Sequence, residues 1–232
     1  MRSAIHTSRY IARYVSFLTL AALAPYLCAQ TDPPSGAAAT SWSSSSSAPQ
    51  PISGKERAAW AISSTVGPAS LLGGAISAGW GTLFDQPREY GTHWAGFGDR
   101  YGMRLTGIAT SNVMEAGLGA IWGEDPRYVR ASGEGFGGRL GHVVKMAFLA
   151  QNRDGHTMPA FARYAAITGS SYLSNTWRVD SDATIGRATI RVGLGFLGRI
   201  AGNAWDEFWP DVKGRLSRKF DDSSHAATAG LH

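Results

Sequence analysis

The sequence predicts a mainly α-helical, glycine-rich bundle of about five helices, preceded by a signal peptide and a disordered linker. Three observations predict this class. Small residues recur every four positions inside apolar segments, and the chain opens on an apolar run behind three arginines. Apolar residues also recur at helical rather than alternating spacing, as at Leu140, Val143, Val144, Ala147 and Phe148.

Residues 1–29 have the parts of a secretory signal. Three arginines and no acid precede an apolar run over residues 14–28, and Ala29 supplies the small residue at the exit. The run is shorter than the roughly 20 apolar residues of a membrane span. An uncleaved anchor is one alternative. Lipidation at Cys28 is another, although bulky residues rather than small ones precede it.

Cleavage after residue 29 would change the chemistry of the chain. The formal net charge of +5 would fall to +2, because the signal carries three arginines and no acid, and the single cysteine would leave with it. A near-neutral protein lacks the electrostatic footprint of a nucleic-acid binder. A chain without cysteine has neither disulfides nor thiolate sites.

Residues 30–54 are mostly Ser, Ala, Pro, Thr and Gly, which predicts a disordered linker. We expect one helical domain over residues 55–220 and a disordered tail over 221–232. The predicted helical segments are residues 55–84, 99–122, 138–151, 159–177 and 183–209.

Helix punctuation comes mainly from proline and from capping residues. Pro68 should kink or divide the first segment, and Pro210 should end the last one. Thr157 is the expected N-cap of the fourth segment, and Ser181 or Asp182 that of the fifth.

Small residues at four-residue spacing are the sharpest physical feature of the domain. Glycine inside a helix costs about 1 kcal/mol relative to alanine, and close helix packing offsets this cost. Such packing belongs either to a water-soluble bundle or to helices in or against a bilayer. Residues 58–84 carry no charge, which leaves a span there as an alternative. The predicted helix-packing positions are Gly74, Ala78, Gly98, Gly102, Gly198 and Gly202.

The sequence contains partial matches to known site motifs, but each lacks the structural context that the motif requires. The runs 133–138 and 193–198 match the dinucleotide-binding glycine spacing, but no buried strand precedes the first and the second lies inside a predicted helix. The histidines of the domain lack metal-ligand spacing. We therefore expect no cofactor and no metal.

Glu115 is the strongest candidate for a buried charged group. It is the only acid between Asp99 and Glu124, on an otherwise small and apolar helix. A structural ion pair is the favoured interpretation, because buried charges are normally paired. The expected partners are Arg104, Arg163 or Arg187.

A buried carboxylate could instead act as a general base. The rival hypothesis is accordingly an envelope hydrolase or lipid-modifying enzyme. Its weak catalytic candidates are Glu115, Asp125, Arg127 and His142, together with His156. A carrier that holds an apolar molecule between helices is a third hypothesis, and it requires an internal cavity.

Two compact mixed clusters could present side chains to a partner. They are residues 124–128 and 207–211, and the exposed candidates are Arg127, Tyr128 and Trp209. The structural interpretation, capped turns with local ion pairs, is the favoured one.

Four runs of residues carry a resemblance. They are Gly96-Phe97-Gly98-Asp99-Arg100-Tyr101-Gly102, Glu124-Asp125-Pro126-Arg127-Tyr128, Ser174-Asn175 before Trp177, and Glu207-Phe208-Trp209-Pro210-Asp211. Together, over residues 85–215, they resemble a group of uncharacterised exported bacterial proteins. That group has no assigned activity, so the resemblance implies export and a single domain and supplies no catalytic residue.

The sequence thus favours a non-enzymatic, exported protein of the cell envelope with a structural or interaction role. The expected location is the periplasm or outer envelope, either at a membrane surface or wholly in the periplasm. The expected partners are a membrane, an envelope protein or a second copy of the chain, and not nucleic acid.

Overall fold

A computed structural model describes residues 51–132 and 135–229. Over these residues the chain is a mainly helical bundle, which confirms the predicted fold class. The predicted signal peptide and the linker up to residue 50 lie outside the described residues. The six α-helices of the described part are Gly54–Val66 (α1), Pro68–Leu83 (α2), Trp94–Trp122 (α3), Phe136–Phe148 (α4), Phe161–Leu173 (α5) and Ile185–Ala229 (α6).

The remaining regular structure is small. Strands Leu149–Gln151 (β1) and Thr157–Pro159 (β2) form an antiparallel hairpin, in which Ala150 is opposite Met158. Short 3-10 turns lie at Arg88–Tyr90 and Ser174–Thr176.

The described residues group into two compact units. The first unit comprises residues 51–127 and 149–195, and therefore α1, α2, α3, the hairpin, α5 and the start of α6. The second comprises residues 128–132, 135–148 and 196–229, and therefore α4 and the rest of α6.

Helix α3 is the centre of the first unit, because α1, α2 and α5 all pack against it. Most of the buried apolar residues of this unit are alanines, and Met103, Ile167 and Trp177 are the bulkiest of them. Small side chains let helix backbones approach closely. The unit is therefore held together by close contact between helices rather than by a core of large apolar side chains.

Local sequence accounts for where the first three helices begin. Ser53 and Glu56 form a capping box at α1, in which each side chain accepts a hydrogen bond from the other residue's backbone N–H. Pro68 occupies the first turn of α2, so the first predicted segment is divided there, as expected. His93 caps α3 by accepting from the backbone N–H of Gly96.

Two predicted helix boundaries are wrong because of the hairpin. The sequence predicts that the third segment runs to residue 151 and that the fourth begins after an N-cap at Thr157. Residues 149–151 and 157–159 pair with each other instead, around a turn in which Gly155 has a positive φ of 79°. Helix α5 consequently begins only at Phe161.

The last helix also differs from its prediction. Thr184, rather than Ser181 or Asp182, accepts a hydrogen bond from the backbone N–H of Arg187 in the first turn. The helix then continues through Pro210 to Ala229, into the predicted tail. Proline removes one hydrogen bond from a helix, and here ion pairs on either side of it, described below, hold the two turns in place.

The small-residue positions divide into two groups. Gly74 and Ala78 are buried on α2, and a Cβ atom at Gly74 would lie 2.9 Å from the Tyr101 ring on α3. The predicted close approach is therefore present there. A Cβ atom would meet nothing within 4 Å at the other four predicted packing positions, so they bring no described helices together. These are Gly98, Gly102, Gly198 and Gly202.

Candidate functional site

Glu115 takes part in a buried ion pair between α3 and α5. Its side chain and that of Arg163 are almost wholly buried, and the Arg163 Nε donates to a Glu115 carboxylate oxygen at 2.9 Å. Arg163 also donates to the Leu149 carbonyl at 3.1 Å. Of the three arginines considered from the sequence, the structure brings Arg163 to this carboxylate. This arrangement joins two helices and the hairpin.

Glu124, which follows the end of α3, caps helix α5 from a distant position in the sequence. One of its carboxylate oxygens accepts from the backbone N–H of Ala162 at 2.9 Å, in the first turn of α5. Burial raises the pKa of Glu124, and the hydrogen bond from Ala162 and the charge of Arg163 oppose that rise. The carboxylate thus anchors the start of α5 from outside the helix.

Asp125 and Arg127 bind each other in a turn. The Arg127 guanidinium donates to both carboxylate oxygens of Asp125, at distances down to 2.7 Å, and the Arg127 backbone N–H also donates to this carboxylate. Arg127 further reaches Glu56 at 3.4 Å. The backbone N–H of Asp125 donates to the Gln151 carbonyl, so the turn is also tied to the hairpin.

The second unit is organised around Glu207. This side chain is wholly buried, and its carboxylate accepts three hydrogen bonds: from Arg139 Nε at 2.6 Å, from the Tyr128 hydroxyl at 3.0 Å and from the Ala131 backbone N–H at 3.1 Å. Burial alone would raise the pKa of Glu207, but these hydrogen bonds bring it below its ordinary value. Burial, and then the hydrogen bond to Glu207, raise the pKa of Tyr128.

Asp211 extends this cluster by one helical turn. Its carboxylate lies 2.7 Å from Arg139 and 3.2 Å from Arg130. Arg139 and Arg130 also donate to the Glu207 carbonyl, which lies in the turn that Pro210 interrupts. Two arginines therefore hold α6 on both sides of its proline.

The other candidates of the second unit are also engaged. The His142 Nε2 is hydrogen-bonded to the Val129 carbonyl at 2.9 Å, and its ring meets the Tyr128 ring edge-on. Trp209 is partly exposed and stacks on Trp205, with ring centroids 4.4 Å apart. Glu115, Asp125 and Arg127 belong to the first unit and His142 to the second, and each has a structural partner.

The first motif run also has structural partners. The buried Arg100 donates to the backbone carbonyls of Gln86, Pro87 and Gly91, and so fixes the loop between α2 and α3. Tyr101 packs on Gly74, as described above. In the third run, Ser174 accepts from Arg178 and Asn175 accepts from Arg191. The motifs that carry the resemblance are thus explained by contacts that fix the fold.

Among the described residues, several charged side chains are buried while many large apolar ones are exposed. Helix α2 shows this most clearly. Its outer stripe is Leu72, Ile76, Trp80 and Leu83, which share one helix face by their spacing. All four are exposed, Ile76 to 72% and Leu83 to 74%. The opposite face of the same helix, with Gly74 and Ala78, is buried against α3.

Large exposed apolar side chains also occur on other helices of each unit. Exposed apolar side chains on α1 and α3 are Ile62, Val66, Trp94, Val113, Ile121 and Trp122, and those on α4 are Phe136, Leu140, Val144 and Phe148. The buried polar residues include arginines, glutamates and asparagines. Scattered exposed apolar residues are ordinary, but contiguous apolar faces mark contact with a membrane or a partner.

None of the described helices is both long enough and apolar enough to cross a membrane.

Among the side chains that the structure describes, residues 51–132 and 135–217, no group of three or more His, Cys, Asp or Glu is placed to hold a metal ion. The glycine run at 133–138 lies partly outside the described residues, and the run at 193–198 lies within α6. Because the run at 193–198 lies inside a helix, it does not form the strand-to-helix turn that a dinucleotide site requires.

No family model, no curated protein and no solved structure matches this chain. The resemblance to exported bacterial proteins accordingly stays a prediction.

Sequence reasoning missed two central residues, Glu207 and Arg139. The sequence singles out Glu207 only as part of a mixed cluster, although its place in a helix between aromatic residues indicates burial. Arg139 lies among glycines, and only the fold brings it to an acid 68 positions away.

Proposed function

We propose that this chain is an exported, non-enzymatic protein of the bacterial cell envelope, with a structural or interaction role at a membrane surface. The observation that carries the proposal is the outer stripe of α2, a row of large apolar side chains that faces away from the rest of its unit. Burying apolar surface contributes about 25 cal/mol per Å², which favours moving such a face out of water.

Two further observations support this proposal. The buried ion pairs keep the charges of Glu115, Arg163 and Glu207 away from the surface that the apolar residues occupy. Exposed apolar side chains also occur on several helices of each unit. A lipid surface can receive such a distribution, whereas one protein partner covers a limited area, typically about 800 Å² per side.

Export rests on the composition of residues 1–29, which matches a signal peptide. Cleavage after residue 29 would leave a chain of net charge +2 without cysteine, which is compatible with an envelope location. A second copy of the chain is the alternative occupant of the apolar faces, and the test below distinguishes it.

Fractionation of expressing cells tests the proposal. The double variant Ile76→Gln, Leu83→Gln replaces the two most exposed apolar side chains of the outer stripe of α2 and leaves the buried face unchanged. Ser77→Gln, an exposed change on the same helix, is the control. We expect the parent and the control in the envelope membrane fraction and the double variant shifted towards the soluble fraction. Sedimentation of the detergent-free protein gives its mass.

Recovery of the parent only as a soluble periplasmic monomer would remove both membrane association and self-association. The parent could instead form a discrete oligomer in solution that the double variant converts to a monomer. That result would show that a second copy of the chain, rather than a membrane, covers the apolar face. Recovery in the cytoplasm with residues 1–29 intact would remove export.

A further inference from the structure

In the second unit, residues 205–216 of α6 have one face that is fixed inside the unit. Glu207 and Asp211 lie on that face and bind Arg139, so the orientation of the helix about its own axis is determined. The opposite face must then point away from this cluster, because successive residues of a helix turn by about 100°.

That opposite face is apolar. Trp205, Trp209, Val212 and Leu216 follow one another at helical spacing and form what we call the α6 stripe. Val212 and Leu216 are half exposed, and Trp209 is nearly so. The Trp205 and Trp209 rings stack within 12° of parallel, which gives the stripe a broad aromatic end.

Basic residues flank the stripe. Lys213 and Arg215 are both exposed, and the helix geometry places them about 80° to either side of the stripe. The acids Glu207 and Asp211 bind arginines of their own unit, and the exposed Asp206 lies at the other end of this stretch, near the tryptophans. The end of the stripe around Val212 and Leu216 is therefore positively charged on both sides.

We propose that the α6 stripe docks on an anionic lipid surface, with its apolar side chains among the head groups and Lys213 and Arg215 at the lipid phosphates. An apolar helix face with basic residues along its borders is typical of helices that lie in the plane of a membrane interface. Tryptophan at one end of the stripe suits the same interface. This inference rests on the proposed membrane role and adds the charge of the lipid.

Charge complementarity favours lipid over a second copy of the chain. Two α6 stripes packed face to face in parallel would bring Lys213 and Arg215 of one copy beside the same residues of the other. Like charges at an interface oppose association. An anionic bilayer instead attracts both residues, each of which strengthens binding about fivefold near such a surface.

The test is vesicle binding by the exported chain, purified from the envelope of expressing cells. The probes are vesicles of phosphatidylcholine alone and vesicles with an equal share of phosphatidylglycerol. The variants are Lys213→Gln with Arg215→Gln, and Val212→Gln with Leu216→Gln. Lys145→Gln with Arg187→Gln removes two exposed charges outside the stripe and is the matched control. Circular dichroism confirms that each variant folds.

We expect the parent and the control to bind the anionic vesicles at least tenfold more tightly than the neutral ones at low salt. The basic double variant should lose about 25-fold in affinity for anionic vesicles and little for neutral ones. The apolar double variant should bind both kinds more weakly. Added salt should reduce the preference of the parent.

Equal binding to both vesicle types, or a preference that survives in the basic double variant, would overturn this inference and leave the proposed membrane role standing. A parent that binds no vesicle of either kind would overturn both. A parent whose mass in solution falls when the stripe is made polar would show that the stripe binds a second copy.

Discussion

Replacing Glu207 by glutamine should destabilise the protein by about 3 kcal/mol. The carboxylate accepts from one charged and two neutral donors, at 2.6, 3.0 and 3.1 Å. A glutamine must present its own NH₂ group to at least one of them, which leaves buried donors unmatched. Breaking a buried pair costs about 3–5 kcal/mol. We take the lower end, because Arg139 is 21% exposed and keeps Asp211 as a partner.

Urea unfolding followed by tryptophan fluorescence measures this loss. With a slope of about 2 kcal/mol per molar, the midpoint should fall by about 1.5 M. Asp180→Asn changes an exposed acid and should shift stability by less than about 0.5 kcal/mol. A Glu207→Gln loss below about 1 kcal/mol would refute the reasoning that this carboxylate organises the second unit.

The pH dependence gives an independent check. Because the folded pKa of Glu207 lies below its ordinary value of 4.5, its stabilising contribution is complete above pH 4.5. It is lost as the pH falls through the folded pKa. The difference between parent and variant should therefore shrink in acid, and a constant difference would contradict the assigned charge state.

Three further predictions concern the first unit. Gly74→Ala should destabilise it because the new methyl group would meet a tyrosine ring at 2.9 Å, whereas Gly102→Ala, in open space, should stabilise it by about 1 kcal/mol; equal effects in urea unfolding would count against close packing on α2. Because the folded pKa of Glu124 is raised, the parent should lose stability as the pH rises from 4.5 through that pKa, and Glu124→Gln should abolish this loss. The same dependence of unfolding free energy on pH in parent and variant would contradict this prediction. Arg100→Lys should leave backbone carbonyls of residues 86–91 without donors and speed hydrogen exchange in that loop; unaltered exchange would contradict its role.

The helical class could be predicted from the sequence because apolar periodicity and proline placement are local signals. Pro68 divides two helices as expected, since it occupies a first turn. Pro210 does not end its helix, because Arg139 and Arg130 hold the turns on either side of it. Those arginines are distant in sequence, so no local pattern could have revealed this.

Some residues of the candidate site could likewise be predicted from local sequence, and others could not. A lone acid on an apolar helix predicted a buried pair at Glu115, and the structure supplies Arg163 as its partner. The small-residue rule worked at Gly74, where a partner helix is adjacent, and not at Gly98 or Gly198, where no described atom lies near a Cβ position. Spacing identifies a helix face, but only the fold determines what that face meets.

The most direct test of the account is whether the exposed apolar faces meet lipid. Tryptophan fluorescence of the exported chain would be recorded with vesicles whose acyl chains carry bromine, a short-range quencher, and with unbrominated vesicles. We predict strong quenching by the brominated lipid, and a smaller quenched fraction after Trp80→Phe on the outer stripe of α2. Fluorescence that is the same in both vesicle types at saturating lipid would contradict the account.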